Sequence, residues 1–243
     1  MKKALTPVIV AIITGLFLLA IASITSDTVL NLQKKGFLKV KGFAKQQISS
    51  DIGFLEATIS TESKNLKSCY AKLAKDREKV SVFLKEKYSI AEDEFELRYA
   101  SIDEIYRKDS KGYSTNKLEK YILKQNIRVE SIDVNKITRV ASGLIDIVGE
   151  DVNISINRPE YIYTKLDDLK VTMIGRASAN ARERVKAVTK NGKVRLGPIA
   201  SVRVGIFQIT PVHSTNISNY GINDTTTIEK EIKSVVEIKY FVK

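Results

Sequence analysis

Residues 120–149 read KYILKQNIRVESIDVNKITRVASGLIDIVG, and this stretch sets the fold class. Up to Ile132 it reads as a β-strand. At Asp133, a good N-cap, the period changes. Val134, Ile137, Val140, Leu144, Ile145 and Val148 then recur at helical spacing on one face, and Gly149 ends the segment. A strand therefore runs directly into an amphipathic helix.

The same pattern extends upstream. Residues 37–44 read as a strand, with Leu38, Val40 and Phe43 apolar and Gly42 as a bulge or bend. Residues 52–59 read as a second strand, with Ile52 and Phe54 on one face and Leu55, Ala57 and Ile59 on the other. A helix from Ser63 to about Tyr88 follows, carried by Leu66, Tyr70, Leu73, Val80, Phe83 and Leu84. Ser63 or Asn65 caps it, and Cys69 is a small core residue within it. Residues 94–102 form another strand, Asp103-Glu104 a turn, and 109–114 a turn-rich join to the strand at 120–132.

Downstream come a strand at 152–158 and a third helix over 166–190, with Leu169, Met173, Ala177, Ala181, Val185 and Val188 on one side. Two strands, 199–210 and 228–242, bracket a polar loop at 211–227. Helices and hairpins intermix, which predicts an α+β fold with antiparallel sheets covered by about three helices.

The N-terminus predicts the address. Lys2 and Lys3 precede an uncharged run from Pro7 to Thr25. As a helix this run would rise roughly 28 Å, close to the thickness of a bilayer's hydrocarbon core. The expected organisation is a transmembrane anchor over 1–26, a linker over 27–36 and an α+β domain over 37–243. The positive-inside rule keeps the N-terminus cytoplasmic and exports the rest across a bacterial inner membrane. A cleaved signal peptide is the alternative, since Ala20-Ile21-Ala22 fits a cleavage pattern. Both readings place the main domain outside the cytoplasm. The lone Cys excludes a disulfide scaffold.

The chain holds 40 Lys and Arg against 28 Asp and Glu, a net charge of +12. Eight of the basic residues lie between Lys170 and Arg195 with Glu183 as the only acid. Arg182, Lys186, Lys190 and Lys193 are the candidate polyanion contacts, serving anionic lipid or an acidic protein partner. Nucleic acid is not an expected partner, because export removes the usual target. The alternative is a solvated face whose late cations complement the helix dipole.

No catalytic constellation stands out. His213 is the only His, and it lies in the loop without a triad pattern. One His and one Cys far apart are poor material for a metal site, and there is no Gly-rich phosphate loop. Asp167-Asp168 read as first-turn acids of the third helix. The expectation is a protein without catalytic, metal or cofactor-binding residues.

Several segments, in order, carry a family resemblance. They include Val40-Lys-Gly-Phe-Ala44 with Asp51, Val82-Phe-Leu84, Pro159-Glu-Tyr-Ile-Tyr-Thr-Lys-Leu166 and Asn180-Ala-Arg182. Gly205-Ile-Phe-Gln-Ile209 and the closing strand Val235–Val242 complete the set. Together they resemble the SIMPL-domain (DUF541) family, in its bacterial membrane-anchored cell-envelope branch. The resemblance implies a mixed α+β fold, a periplasmic or outer-surface location and a homo-oligomer. It implies no reaction. The basic Gly192-Lys-Val-Arg195 departs from that pattern.

Overall fold

The computed structural model describes residues 14–17, 21, 36–192 and 194–242. The expected anchor at 1–26 lies outside the described residues except for 14–17 and 21, which are helical. Lys193 also lies outside them. Among the described residues no helix is long and apolar enough to cross a membrane.

The strands are β1 (Gly36–Ser49), β2 (Ile52–Ser63), β3 (Phe95–Lys108), β4 (Ser114–Ser131), β5 (Ile154–Ile156), β6 (Glu160–Ile162), β7 (Leu196–Val204), β8 (Gln208–Pro211), β9 (Ile222–Asn223) and β10 (Glu229–Val242). The helices are α1 (Leu66–Tyr88), α2 (Val134–Gly143) and α3 (Leu166–Gly192). Two five-stranded sheets form, one ordered β3-β4-β2-β5 with β6 also on β2, the other β1-β10-β8-β9 with β7 also on β10. The α+β class is as expected, but the second sheet is mixed, because β8 and β9 run parallel. By contact density the chain divides into two units, each assembled from separated segments. Among the described residues, one comprises 46–169 and 208–232; the other is built from 36–45, 170–192, 194–207 and 233–242.

The first unit is organised by β2. Leu55, Ala57 and Ile59 stand opposite Val129, Ile127 and Gln125 of β4, and this row is buried. Alternation makes the opposite row, Glu56, Thr58 and Ser60, the outer face. Cys69, Leu73, Val80 and Leu84 of α1 join Ile137 and Val140 of α2 in the core over the inner row. Asn65 caps α1, its Oδ1 accepting from Ser68 N at 3.0 Å. Asp133 caps α2 through Asn135 N and Lys136 N, at 3.0 and 3.1 Å.

Three local expectations change. Leu66 and Tyr70 are exposed, and the buried stripe of α1 runs through Cys69, Leu73 and Asp76 instead. The second helix tightens to 3₁₀ geometry over Leu144–Glu150, so Leu144 and Ile147 go inward while Ile145 and Val148 face out. It ends at Asp151, in the left-handed region at φ 63°, and not at Gly149. Asp103 and Glu104 pair with Ile122 and Tyr121 inside β3, so the turn lies only at Asp109–Tyr113. There Asp109 Oδ1 accepts from Lys111 N and Tyr113 N, and Gly112 adopts φ 86°. The loop at 211–227 is also folded. Gln208 donates to Ser218 O and accepts from Ser218 N, and β9 pairs with β8.

In the second unit, α3 lies on β1. Met173, Ala177, Ala181 and Val185 are buried, while Val188 is exposed. Gly42 lies within the strand and marks a close approach to α3, where a Cβ would come within 2.0 Å of Ala177 O. The expected strand at 199–210 is interrupted. β7 pairs antiparallel with β10, and at its end Gly205 N donates to Val235 O at 2.8 Å.

Candidate functional site

Charge divides between the two units far more sharply than along the sequence. Segments 36–45, 170–207 and 233–243 hold 15 Lys and Arg against only two acids, Glu183 and Glu237, a net +13. Segments 46–169 and 208–232 hold 21 Lys and Arg against 25 Asp and Glu, a net −4.

The outer sheet faces show the contrast at atomic detail. On the first unit, Arg98 pairs with Glu56 and Glu96, Arg128 with Glu130, Lys124 with Asp103 and Lys120 with Glu62, all within 3.2 Å. Arg128 also stacks on Phe54, 3.8 Å from the ring centre. Cations and carboxylates alternate there, so the face is neutralised strand by strand.

On the second unit the outer face is different. Alternation along β1 turns Gly42 and Ala44 inward, where they are buried, and Phe37, Lys39, Lys41, Phe43 and Lys45 outward, where all five are exposed. From β10, Glu237, Lys239 and Phe241 join them. Lys39 Nζ is 2.9 Å from Glu237 Oε1, Phe37 and Phe241 have ring centres 5.0 Å apart, and Lys239 Nζ sits 3.9 Å over the Phe37 ring. From β7, Arg203 stands opposite Glu237. The hydrogen bond from Lys39 holds the Glu237 carboxyl below its usual range, and the charges of Lys41 and Arg203 act the same way. One carboxylate thus faces a field of cations interleaved with phenylalanines.

The helix residues expected to meet a polyanion lie elsewhere in this unit. Arg182, Lys186 and Lys190 are exposed on α3 at successive helical turns. Arg184, outside that stripe, turns to β1 and donates to Lys41 O at 3.1 Å. Asn180 Oδ1 accepts from Phe43 N at 3.1 Å. The outer sheet row escaped the sequence reading because its members come from three segments, with about 160 residues between the first and the second and about 35 between the second and the third. The available signal was the alternating FLKVKGFAK of residues 37–45, which puts every cation and two phenylalanines on one side.

Buried titratable groups occur in the first unit. Lys230 is 2% exposed and donates to Tyr161 O at 2.5 Å. Burial pushes its amine below the usual lysine range, with the charge of Asp224 opposing. Burial acts to raise Asp224 itself, but hydrogen bonds from Thr227 and Thr226 outweigh it and hold the carboxyl low. His213 is exposed at φ 66°. Among the described residues no group of three or more His, Cys, Asp or Glu is placed to hold a metal ion.

Helix-backed sheets and a charge gathered onto one unit define an α+β protein whose most distinctive chemistry lies on a surface. The profile of the SIMPL family, described as "Protein of unknown function (DUF541)", matches residues 38–240, and the chain belongs to that family. No curated protein matches it.

Proposed function

We propose that the protein is a non-catalytic, membrane-anchored component of a bacterial cell envelope whose α+β domain is exported and self-associates. The observation that carries this reading is the uncharged run from Pro7 to Thr25 behind Lys2 and Lys3, with the family match beginning at residue 38. A chain arranged in this way holds a folded domain about ten residues from a bilayer. Self-association draws support from β7. Leu196, Ile199, Val202 and Val204 all stand opposite inward-facing residues of β10, yet remain 39–53% exposed. An apolar row of this kind on one strand suits a protein–protein contact.

Three measurements test the reading. Alkaline carbonate should leave the full chain in the membrane fraction, and a reporter fused after Lys243 should be active only outside the cytoplasm. Release by carbonate with an exported reporter would assign a cleaved leader instead, and a cytosolic reporter would end the proposal. Sedimentation of the detergent-purified chain should show more than one subunit, reduced to one by Val202→Asp. A second reading, in which the basic stripe of α3 takes an acidic protein, is favoured by the exposure of Arg182, Lys186 and Lys190. Loss of partner binding in Lys186→Glu/Lys190→Glu tests it.

A further inference from the structure

We infer that the outer face of the β1–β10 sheet, and not the basic stripe of α3, is the surface that rests on an anionic phospholipid bilayer. The inference deepens the envelope reading and rests on it for the choice of lipid as occupant.

Three observations converge. The first is charge complementarity. Lys39, Lys41 and Arg203 act on the carboxylate of Glu237 and Lys239 follows it on the same row of β10, four cations to one acid at this end of the face, whereas the corresponding face of the first unit matches its cations with carboxylates pair by pair. Juxtamembrane basic residues are drawn to anionic headgroups, and clusters of them bind far better than single ones. The second is the aromatic content. Phe37 and Phe43 are 49% and 40% exposed on the same row, six residues apart, and with Phe241 they form an aromatic grouping and not a single exposed ring. Rings flanked by lysines are the arrangement that settles at a headgroup–acyl boundary, with the ring in the boundary and the ammonium groups at the phosphates. The third is placement along the chain. The uncharged run ends at Thr25 and β1 begins at Gly36, so the intervening residues reach at most about 35 Å even when fully extended. The face belongs to the first strand after the tether. Five positions from Phe37 to Lys45 cover about 27 Å of strand at the usual rise, so several headgroups can be met at once.

The α3 stripe lacks the aromatic component. Its outward residues are Arg182, Lys186 and Lys190, with only Val188 exposed nearby. That composition suits an acidic protein or solvent and not a headgroup–acyl boundary.

The sequence contains no Trp, so Phe43→Trp makes a single reporter at the centre of the face. The full chain carrying it is reconstituted into vesicles of phosphatidylcholine alone, or of phosphatidylcholine with phosphatidylglycerol, each with doxyl-labelled lipid as quencher. The indole at position 43 should shift to the blue and be quenched only in the anionic vesicles, and high salt should reverse this. Adding Lys41→Glu and Lys239→Glu should lower the quenching ratio roughly twofold or more, and adding Lys186→Glu and Lys190→Glu should leave it unchanged. Phe37→Trp provides an independent reporter if the first variant does not fold, as judged by circular dichroism. Equal emission in both vesicle types would overturn the inference, as would loss of quenching in the α3 double variant. A blue shift that grows with protein concentration in lipid-free detergent would assign the face to a second copy and overturn it. So would a shift produced by single-stranded oligonucleotide and not by vesicles. Carbonate extraction of the same samples separates the two claims. A chain released by carbonate that is still quenched in anionic vesicles keeps the face and loses the anchor. A retained but unquenched chain keeps the anchor and loses the face.

Discussion

Gly42 of β1 and Ala181 of α3 touch backbone to backbone. A Cβ at position 42 would lie 2.5 Å from Ala181 N, 2.6 Å from Ala181 Cβ and 2.0 Å from Ala177 O. Strand and helix approach this closely because one side of the contact has no side chain and the other has only methyl groups. The contact joins two segments 139 positions apart in the chain.

Gly42→Ala therefore forces a methyl group into main chain that has no flexible part to yield. Overpacking of this kind costs about 1–3 kcal/mol where side chains can give way, so about 3 kcal/mol or more is expected here. Urea denaturation followed by circular dichroism should show the unfolding free energy falling by that amount, as a lower midpoint at unchanged slope. An unchanged midpoint would mean that β1 and α3 do not pack at this distance.

Asn180 and Arg184 lie one turn apart on α3 and bond Phe43 N and Lys41 O, two groups on the same edge of β1. β1 ends its sheet, and an unpaired edge invites pairing with another chain. Asn180→Ala should cost about 1 kcal/mol and speed hydrogen exchange at the Phe43 amide specifically. If that amide exchanges at the original rate, the side chain does not protect the edge.

Asp76 is 2% exposed on the core side of α1, and its Oδ2 has no hydrogen-bond partner. Burial raises its carboxyl above the usual aspartate value, while the charges of Lys72 and Lys79 pull it down. The folded state consequently holds this proton more tightly than the unfolded chain does. Stability falls as pH rises from the ordinary aspartate value through the raised one, and remains lower above it. Asp76→Asn should be more stable near neutral pH by about 1–2 kcal/mol, and the advantage should vanish below the ordinary aspartate range. A neutral variant that is less stable near neutrality would show that the charge is accommodated.

Glu94 behaves in the opposite sense. Burial acts to raise its carboxyl, but hydrogen bonds from Lys136 at 2.8 Å, from Ser131 and from Ala91 N at 3.0 Å outweigh it and hold the carboxyl low. The stabilisation is present above the usual glutamate value and is lost as pH falls through the lowered one. Glu94→Gln should cost about 1–2 kcal/mol near neutral pH, a modest figure because both partners retain some solvent. Wild type and variant should converge in acid. A difference that persists unchanged there would point to packing instead of charge.

Much of this architecture was legible in residue patterns because it depends on short-range geometry. Leu55, Ala57 and Ile59 share a strand face whatever they meet, and Asp133 caps a helix through its own next turn. The failures have two causes. Ile145 and Val148 sit at α-helical spacing, but the chain tightens to 3₁₀ geometry before reaching them, and the tightening is set by packing. Asp103 and Glu104 look like turn residues because the far end of the β3–β4 hairpin is exposed on both faces, which removes the alternation that marks a strand.

Local composition alone established the strands, the helices, their caps, the uncharged N-terminal run and the basic stripe of α3. Those properties are functions of neighbours within a turn or two of one another. Long-range contact produced the charge division and the basic-aromatic sheet face. No single stretch of the chain contains that face, because hydrogen-bonded ladders bring together Lys39, Arg203 and Lys239 from three distant segments and set their charges on one side.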